Sequence, residues 1–134
     1  MIEACSNGPS HNLRARCLLA GPDLVVVVDG GDSPHVGAVA MASPRPSLRP
    51  GGGTSADVSV LCRAGHKEDD LARQLAKALA AALDRQVVVC AGMHWDGLDQ
   101  VGLALVMQNA AALPALIVAA LAAHAGTAGP APEA

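Results

Sequence analysis

Val58-Ser59-Val60-Leu61-Cys62-Arg63-Ala64-Gly65-His66-Lys67-Glu68-Asp69-Asp70-Leu71 is the stretch on which the fold turns. Its first part, with Asp57 before it, alternates polar and apolar residues, the two-residue period of a strand. Its last residue opens a series, Leu71, Leu75, Leu79 and Leu83, with Ala72 and Ala76 beside it. That spacing predicts an amphipathic helix from about His66 to Leu83. Gln86-Val87-Val88-Val89-Cys90 follows as a short β-branched run and reads as a buried strand. Strand, helix and strand in that order predict a right-handed crossover between parallel strands, from Val58 to Cys90.

Upstream, Leu24-Val25-Val26-Val27-Val28 reads as a strand buried on both faces. Gly21-Pro22-Asp23 before it is a turn, and Leu13 to Ala20 mixes apolar and basic residues as a half-exposed strand. Asp29-Gly30-Gly31-Asp32-Ser33-Pro34 reads as a loop, and His35 to Ala42 resumes as a strand. Ser43 to Ser55, rich in Pro and Gly, reads as a flexible loop. Beyond Cys90, a second helix is expected from about Gly97, with Asp96 as its N-cap and Asp99 three residues later. Gly126 to Ala134 reads as a disordered tail. The predicted order is β-β-β-β-α-β-α. It describes one α/β (α+β) domain over residues 1–125, a mixed four- or five-stranded sheet with two helices on one face.

The length, 134 residues, suits a single domain. Phe and Tyr are absent and Trp95 is the sole tryptophan, so the core must close on small aliphatic side chains. A net charge of −3 and the lack of stacking rings argue against nucleic-acid binding. Cys5, Cys17, Cys62 and Cys90 contain no Cys-x-x-Cys spacing, which leaves thiols in a reducing cytoplasm as the reading. Cys62 and Cys90 each close a strand and are candidates for mutual contact. The N-terminus lacks the apolar stretch of a secretory signal. Val101 to Ala123 is mostly apolar, but Gln108, Asn109 and Pro114 interrupt it, whereas a membrane span needs about 20 predominantly apolar residues. It reads as a buried helix or an oligomer interface, not a membrane segment.

If strands 24–28, 35–42 and 56–62 are joined as successive hairpins, the first and third run the same way. The crossover gives strand 86–90 that direction too. The loops leaving these three carboxyl ends then share one rim: Asp29 to Pro34, Ala64 to Asp69, and Ala91 to Asp96. Together with His35 they hold His35, His66 and His94, three of the chain's five histidines, and Trp95. Ligands of α/β proteins favour that edge. Gly65-His66, where a strand gives way to a helix, is a generic anion site with Lys67 adding charge. Glu68, Asp69 and Asp70 would repel a bare phosphate, or simply complement the helix dipole. His94 and Asp96, with His66, His35 and a first-turn carboxylate such as Asp69, offer imidazole plus carboxylate to a divalent metal. In the plainer alternative Asp96 caps the second helix and His94 bonds a backbone carbonyl. Trp95 either stacks on a flat ligand ring or fills a subunit interface. Met93 reads as core, and His11 and His124 as solvated. No catalytic triad, Walker A motif or dinucleotide fingerprint is present.

The run Val58 to Ala72, with its Gly65-His66-Lys67-Glu68-Asp69 motif, and the run Val87 to Asp96, with Gly92-Met93-His94-Trp95-Asp96, resemble the LpdD-like prenylated-flavin chaperones. Gly30-Gly31 and His35-Val36-Gly37-Ala38-Val39-Ala40 are similar to the same family, so the likeness covers about Leu24 to Asn109. The resemblance implies a protein that binds, delivers or matures prenylated FMN, or FMN, for an apo UbiD-type decarboxylase. A flavin prenyltransferase is implied as a further partner, and a homo-oligomer, taken as a dimer, as the assembly. By motif, Gly65, His66, Lys67, Asp69, Gly92, His94 and Asp96 are then site residues. The cofactor phosphate is expected at the first helix N-terminus near Gly65, His66 and Lys67, with Trp95 or the hairpin loop by His35 over the ring. A divalent cation held by His66, Asp69, His94 and Asp96 would offset the acidic turn. Two other functions compete: a metal-dependent hydrolase or isomerase using the same His/Asp set, and an assembly protein whose interface is the second helix.

Overall fold

The two valine runs pair with each other. Leu24 to Val28 lies parallel to Val87 to Ala91, with Val26 opposite Val89. A computed structural model describes residues 1–65 and 68–127. The readings made on His66, Lys67 and residues 128–134 therefore lie outside the described residues. The elements run β1 (Ile2–Cys5), β2 (Leu13–Ala20), β3 (Asp23–Gly31), β4 (Ala38–Pro46), β5 (Thr54–Cys62), α1 (Asp69–Leu83), β6 (Val87–His94) and α2 (Gln100–Thr127). The strands form one mixed six-stranded sheet in the order β1-β2-β3-β6-β4-β5.

This is the expected α+β architecture with one strand more than predicted. The addition is β1, a four-residue edge strand antiparallel to β2, too short to show a period. The expected hairpin between strands 24–28 and 35–42 does not form. β6 inserts between them, parallel to β3 and antiparallel to β4. Each valine strand gains a neighbour of its own kind, which buries more apolar side chain than a hairpin would. The directions survive, because β4 is antiparallel to both β5 and β6. β3, β5 and β6 therefore end at one rim.

Two other loop readings are corrected. β3 runs on through Gly30 and Gly31, which pair with Met93 and His94. Ser43 to Pro46 extend β4, and Thr54 and Ser55 begin β5, so only 47–53 form the turn. Pro44 and Pro46 are tolerated because β6 reaches only as far as Ala42 on β4. Beyond that point the arm is two-stranded, and one side of it has no ladder to fill.

Register places Ile2, Cys17, Val26, Val89, Ala40 and Val60 in one row across the sheet. That face carries the core. α1 covers β4, β5 and β6, while α2 covers β1 and β2 and leans on α1. Ala72, Ala76 and Ala80 on α1 meet a sheet surface of Ala38, Ala40 and Ala42, all buried. Small side chains on both sides bring helix and sheet close, the packing that an aromatic-free chain requires.

The second helix starts later than expected and under a different cap. Asp99 Oδ1 accepts the Gly102 amide at 2.7 Å, so Asp99, not Asp96, satisfies the first turn. Pro114 does not interrupt the helix, which continues through Gly126 to Thr127. By length and composition it is long and apolar enough to cross a membrane. Here Leu113 and Ile117 are buried in the core, and buried Asn109 donates to the Ser10 and His11 carbonyls at 2.9 and 2.7 Å.

Candidate functional site

Gly31 closes β3 with φ +83° and faces His94 at the end of β6. A side chain there would overlap the His94 carbonyl. The close approach ties two loops together. The Asp32 and Ser33 amides donate to the His94 carbonyl at 2.7 and 3.3 Å, and the Asp96 amide donates to Asp32 Oδ2 at 2.9 Å.

Glu68 brings in the third loop. Its Oε1 lies 2.9 Å from His35 Nε2 and accepts the Met93 amide at 3.4 Å. His35 Nδ1 is 3.0 Å from the Ser33 carbonyl oxygen. Two glycines make room for this knot. A Cβ on Gly37 would stand 2.7 Å from the Glu68 carboxylate, and one on Gly92 would overlap the His35 carbonyl. Trp95 lies over Gly30 and Gly31, its ring 5.4 Å from that of His11.

A cavity of about 820 Å³ opens at this rim and runs down between the helices. Its mouth is polar, formed by His35, Gly65, Glu68, Asp70 and His94. Its body is apolar: Leu71, Leu75 and Ala78 on α1 face Leu103, Val106 and Met107 on α2, with Met93 and Trp95 between them. The volume falls within the range of about 300–1,000 Å³ usual for small-molecule sites.

Of the residues singled out from the sequence, His35, Gly65, His94 and Trp95 line the cavity. Gly65 has φ +77°, the conformation its position asked of it. Gly92 is close by but serves to let the His35 backbone pass. Asp69 and Asp96 do not line the cavity. Asp96 Oδ1 instead meets His94 Nε2 at 3.1 Å, with side chains 82% and 55% exposed. Among the described residues no group of three or more His, Cys, Asp or Glu is placed to hold a metal.

Other readings change. Asp29 leaves the rim altogether: it is buried on the opposite face, paired with Arg14 at 3.3 Å and with Arg16. Cys62 and Cys90 lie on strands separated by β4. Burial pushes the Cys17 and Cys90 thiols above their ordinary value. His11, expected in solvent, packs against Trp95. Glu68 and the apolar residues of α2 were not singled out as site residues. An acidic residue before a helix looks like dipole compensation, and an evenly apolar helix gives no sign of which side borders a cleft.

A family model described as the prenylated flavin chaperone LpdD-like domain matches residues 7–122. The chain belongs to the LpdD-like prenylated-flavin chaperone family. No curated protein matches it. The family match spans β2 to most of α2, so both walls and the whole mouth of the cavity belong to the LpdD-like domain. In this LpdD-like chain the shape of the cavity suits a prenylated flavin: an apolar slot for a large ring system beneath a polar opening for an anionic tail.

Proposed function

We propose that this chain holds prenylated FMN in the cavity between α1 and α2 and hands it to an apo UbiD-type decarboxylase. The observation that carries the reading is the amphiphilic form of the cavity: its apolar body is a slot between two helices and its polar rim is built from three converging loops. Leu75, Val106 and Met107 would hold the ring, with Trp95 against its edge or face. The phosphate would sit at the mouth near Gly65 and His94; by motif, His66 and Lys67 are further candidate contacts. Glu68 does not oppose this arrangement, because its carboxylate is engaged by His35 and the Met93 amide. When bound, the flavin supplies the reactive ring that the acceptor enzyme uses; the chaperone's own residues bind, orient and shield it. Half of the slot is a helix with exposed Leu103 and Met107, so the ligand has a short route out, as delivery requires. A flavin prenyltransferase is the proposed donor.

Trp95 gives the test a built-in reporter, because no other tryptophan contributes. Titration with prenylated FMN is expected to quench its fluorescence in saturable fashion, and the loaded protein is expected to activate an apo decarboxylase. Met107→Glu, at a position already 64% exposed, should weaken binding at least about tenfold, the cost of setting a charge against an apolar ring. Saturable binding that Met107→Glu and His94→Ala both leave unchanged would place the flavin elsewhere.

A further inference from the structure

Trp95 lines the cavity, but part of what holds it there lies outside. The indole rests on a floor without side chains: a Cβ on Gly30 would stand 3.1 Å from its Cη2, and one on Gly31 3.0 Å from its Cδ2. Its flank meets the imidazole of His11, with ring centroids 5.4 Å apart and planes tilted by 47°. His11 itself does not line the cavity. It belongs to the loop of residues 6–12 between β1 and β2, which is closed on itself. The Leu13 amide donates to Ser6 Oγ at 2.8 Å. Asn12 Oδ1 accepts the Ser6 hydroxyl at 3.0 Å and the Gly8 amide at 2.8 Å, and Asn12 Nδ2 donates to the Gly8 carbonyl at 3.0 Å.

Asn109 ties this loop to α2. A buried amide in an apolar helix is unfavourable unless it is hydrogen-bonded, and the bonds it donates to the Ser10 and His11 carbonyls both go to the loop. A Cβ on Gly8 would stand 2.5 Å from Asn109 Oδ1, so glycine there lets the amide seat itself. His11 has φ +57°, a left-handed conformation uncommon outside glycine, which the latch holds. Ser10 Oγ lies 2.8 Å from His11 Nδ1 and fixes the ring plane. A Cβ on Gly102 of α2 would stand 3.0 Å from His11 Nε2, so that glycine leaves room for the other edge of the ring. Backbone, hydroxyl and helix thus converge on one outcome, an imidazole held against Trp95. We propose that His11 is a positioning residue of the cavity. It acts through Trp95, fixing the indole at the lip before a flat ring arrives. An indole already in place loses little freedom when the ligand binds, and affinity rises accordingly. Asn109 makes the lip and one wall of the slot a single unit. This role rests on the cavity being the flavin site proposed above.

Time-resolved fluorescence anisotropy of the ligand-free full chain reads Trp95 alone, and should show a restricted indole. His11→Asn keeps a residue that tolerates the left-handed backbone and removes the ring. It should release a fast local motion of Trp95 and weaken the near-UV circular dichroism, with the far-UV spectrum and the urea midpoint unchanged. Ser10→Ala, at an exposed position, guards against a folding defect and should do the same to a smaller degree. By calorimetry, His11→Asn should weaken prenylated FMN binding about three- to tenfold. Trp95→Leu should weaken it as well, and adding His11→Asn to Trp95→Leu should bring no further loss, because the histidine acts only through the indole. An indole equally restricted in the wild type and in His11→Asn overturns the proposal. So does wild-type affinity in His11→Asn, or a full additional loss in the double variant. A wild type without saturable flavin binding is a different result: it overturns the flavin reading of the cavity, and the affinity role of His11 falls with it.

Discussion

Gly37 and Gly92 show how much of the candidate site is set by the absence of side chains. Gly37 leaves the space that the Glu68 carboxylate occupies, and Gly92 lets the His35 backbone cross β6. The Gly92 contact is backbone against Cβ, so no rotamer change relieves it. Gly92→Ala should cost about 1–3 kcal/mol, the usual penalty for overpacking. Urea denaturation would measure that loss, and flavin retention should fall with it because His35 and Glu68 move together. At this scale the sequence was readable where a residue type is rare. His35, His94 and Trp95 stand out against an aliphatic background and reach the cavity. Glu68 did not stand out, since Asp69 and Asp70 beside it have the same charge and only coordinates show which carboxylate turns inward.

Among the elements, α1 was the most legible, because its leucines repeat at helical spacing and Leu75 and Leu79 are buried as that pattern demands. Its start was misplaced by three residues: the helix begins at Asp69, and apolar periodicity fixes a face rather than an end. α2 was less legible. It is apolar on every side, so neither its buried stripe nor its cleft-lining stripe can be read from spacing. Asp96 and Asp99 both precede the apolar run, so spacing alone does not tell which caps the helix, and in the structure it is Asp99. The structure makes a test of the difference. Asp99→Ala should destabilise the protein by about 0.5–2 kcal/mol, the value of an N-cap, whereas Asp96→Ala, 82% exposed, should leave thermal stability nearly unchanged. β4 and β5 were underestimated for a related reason: Pro44 and Pro46 read as loop formers until the two-stranded arm shows that the backbone there has only one neighbour.

For the whole molecule, burial of Cys17 and Cys90 links stability to alkaline pH. Both thiols are held above their ordinary value of 9.0 by burial, which favours the neutral form in the folded state. The unfolded chain therefore loses these protons first as pH rises. The contribution is complete below about 9 and is lost as pH climbs through the raised values. Cys17→Val should flatten that alkaline fall, as seen by comparing denaturation midpoints on either side of 9.0. The sheet order was the feature least available from sequence, since strand directions follow from connectivity but neighbours follow from which surfaces bury best. That order has a consequence for synthesis. β1, β2 and β3 form one meander, β4 and β5 form another, and β6 alone joins them. A ribosome delivers the joining strand only after both halves have emerged, so the nascent chain carries two unlinked half-sheets until residues 87–94 thread between them. The rim draws loops from both halves, and the mouth of the cavity therefore comes into being in a single late event, at the moment the seam closes.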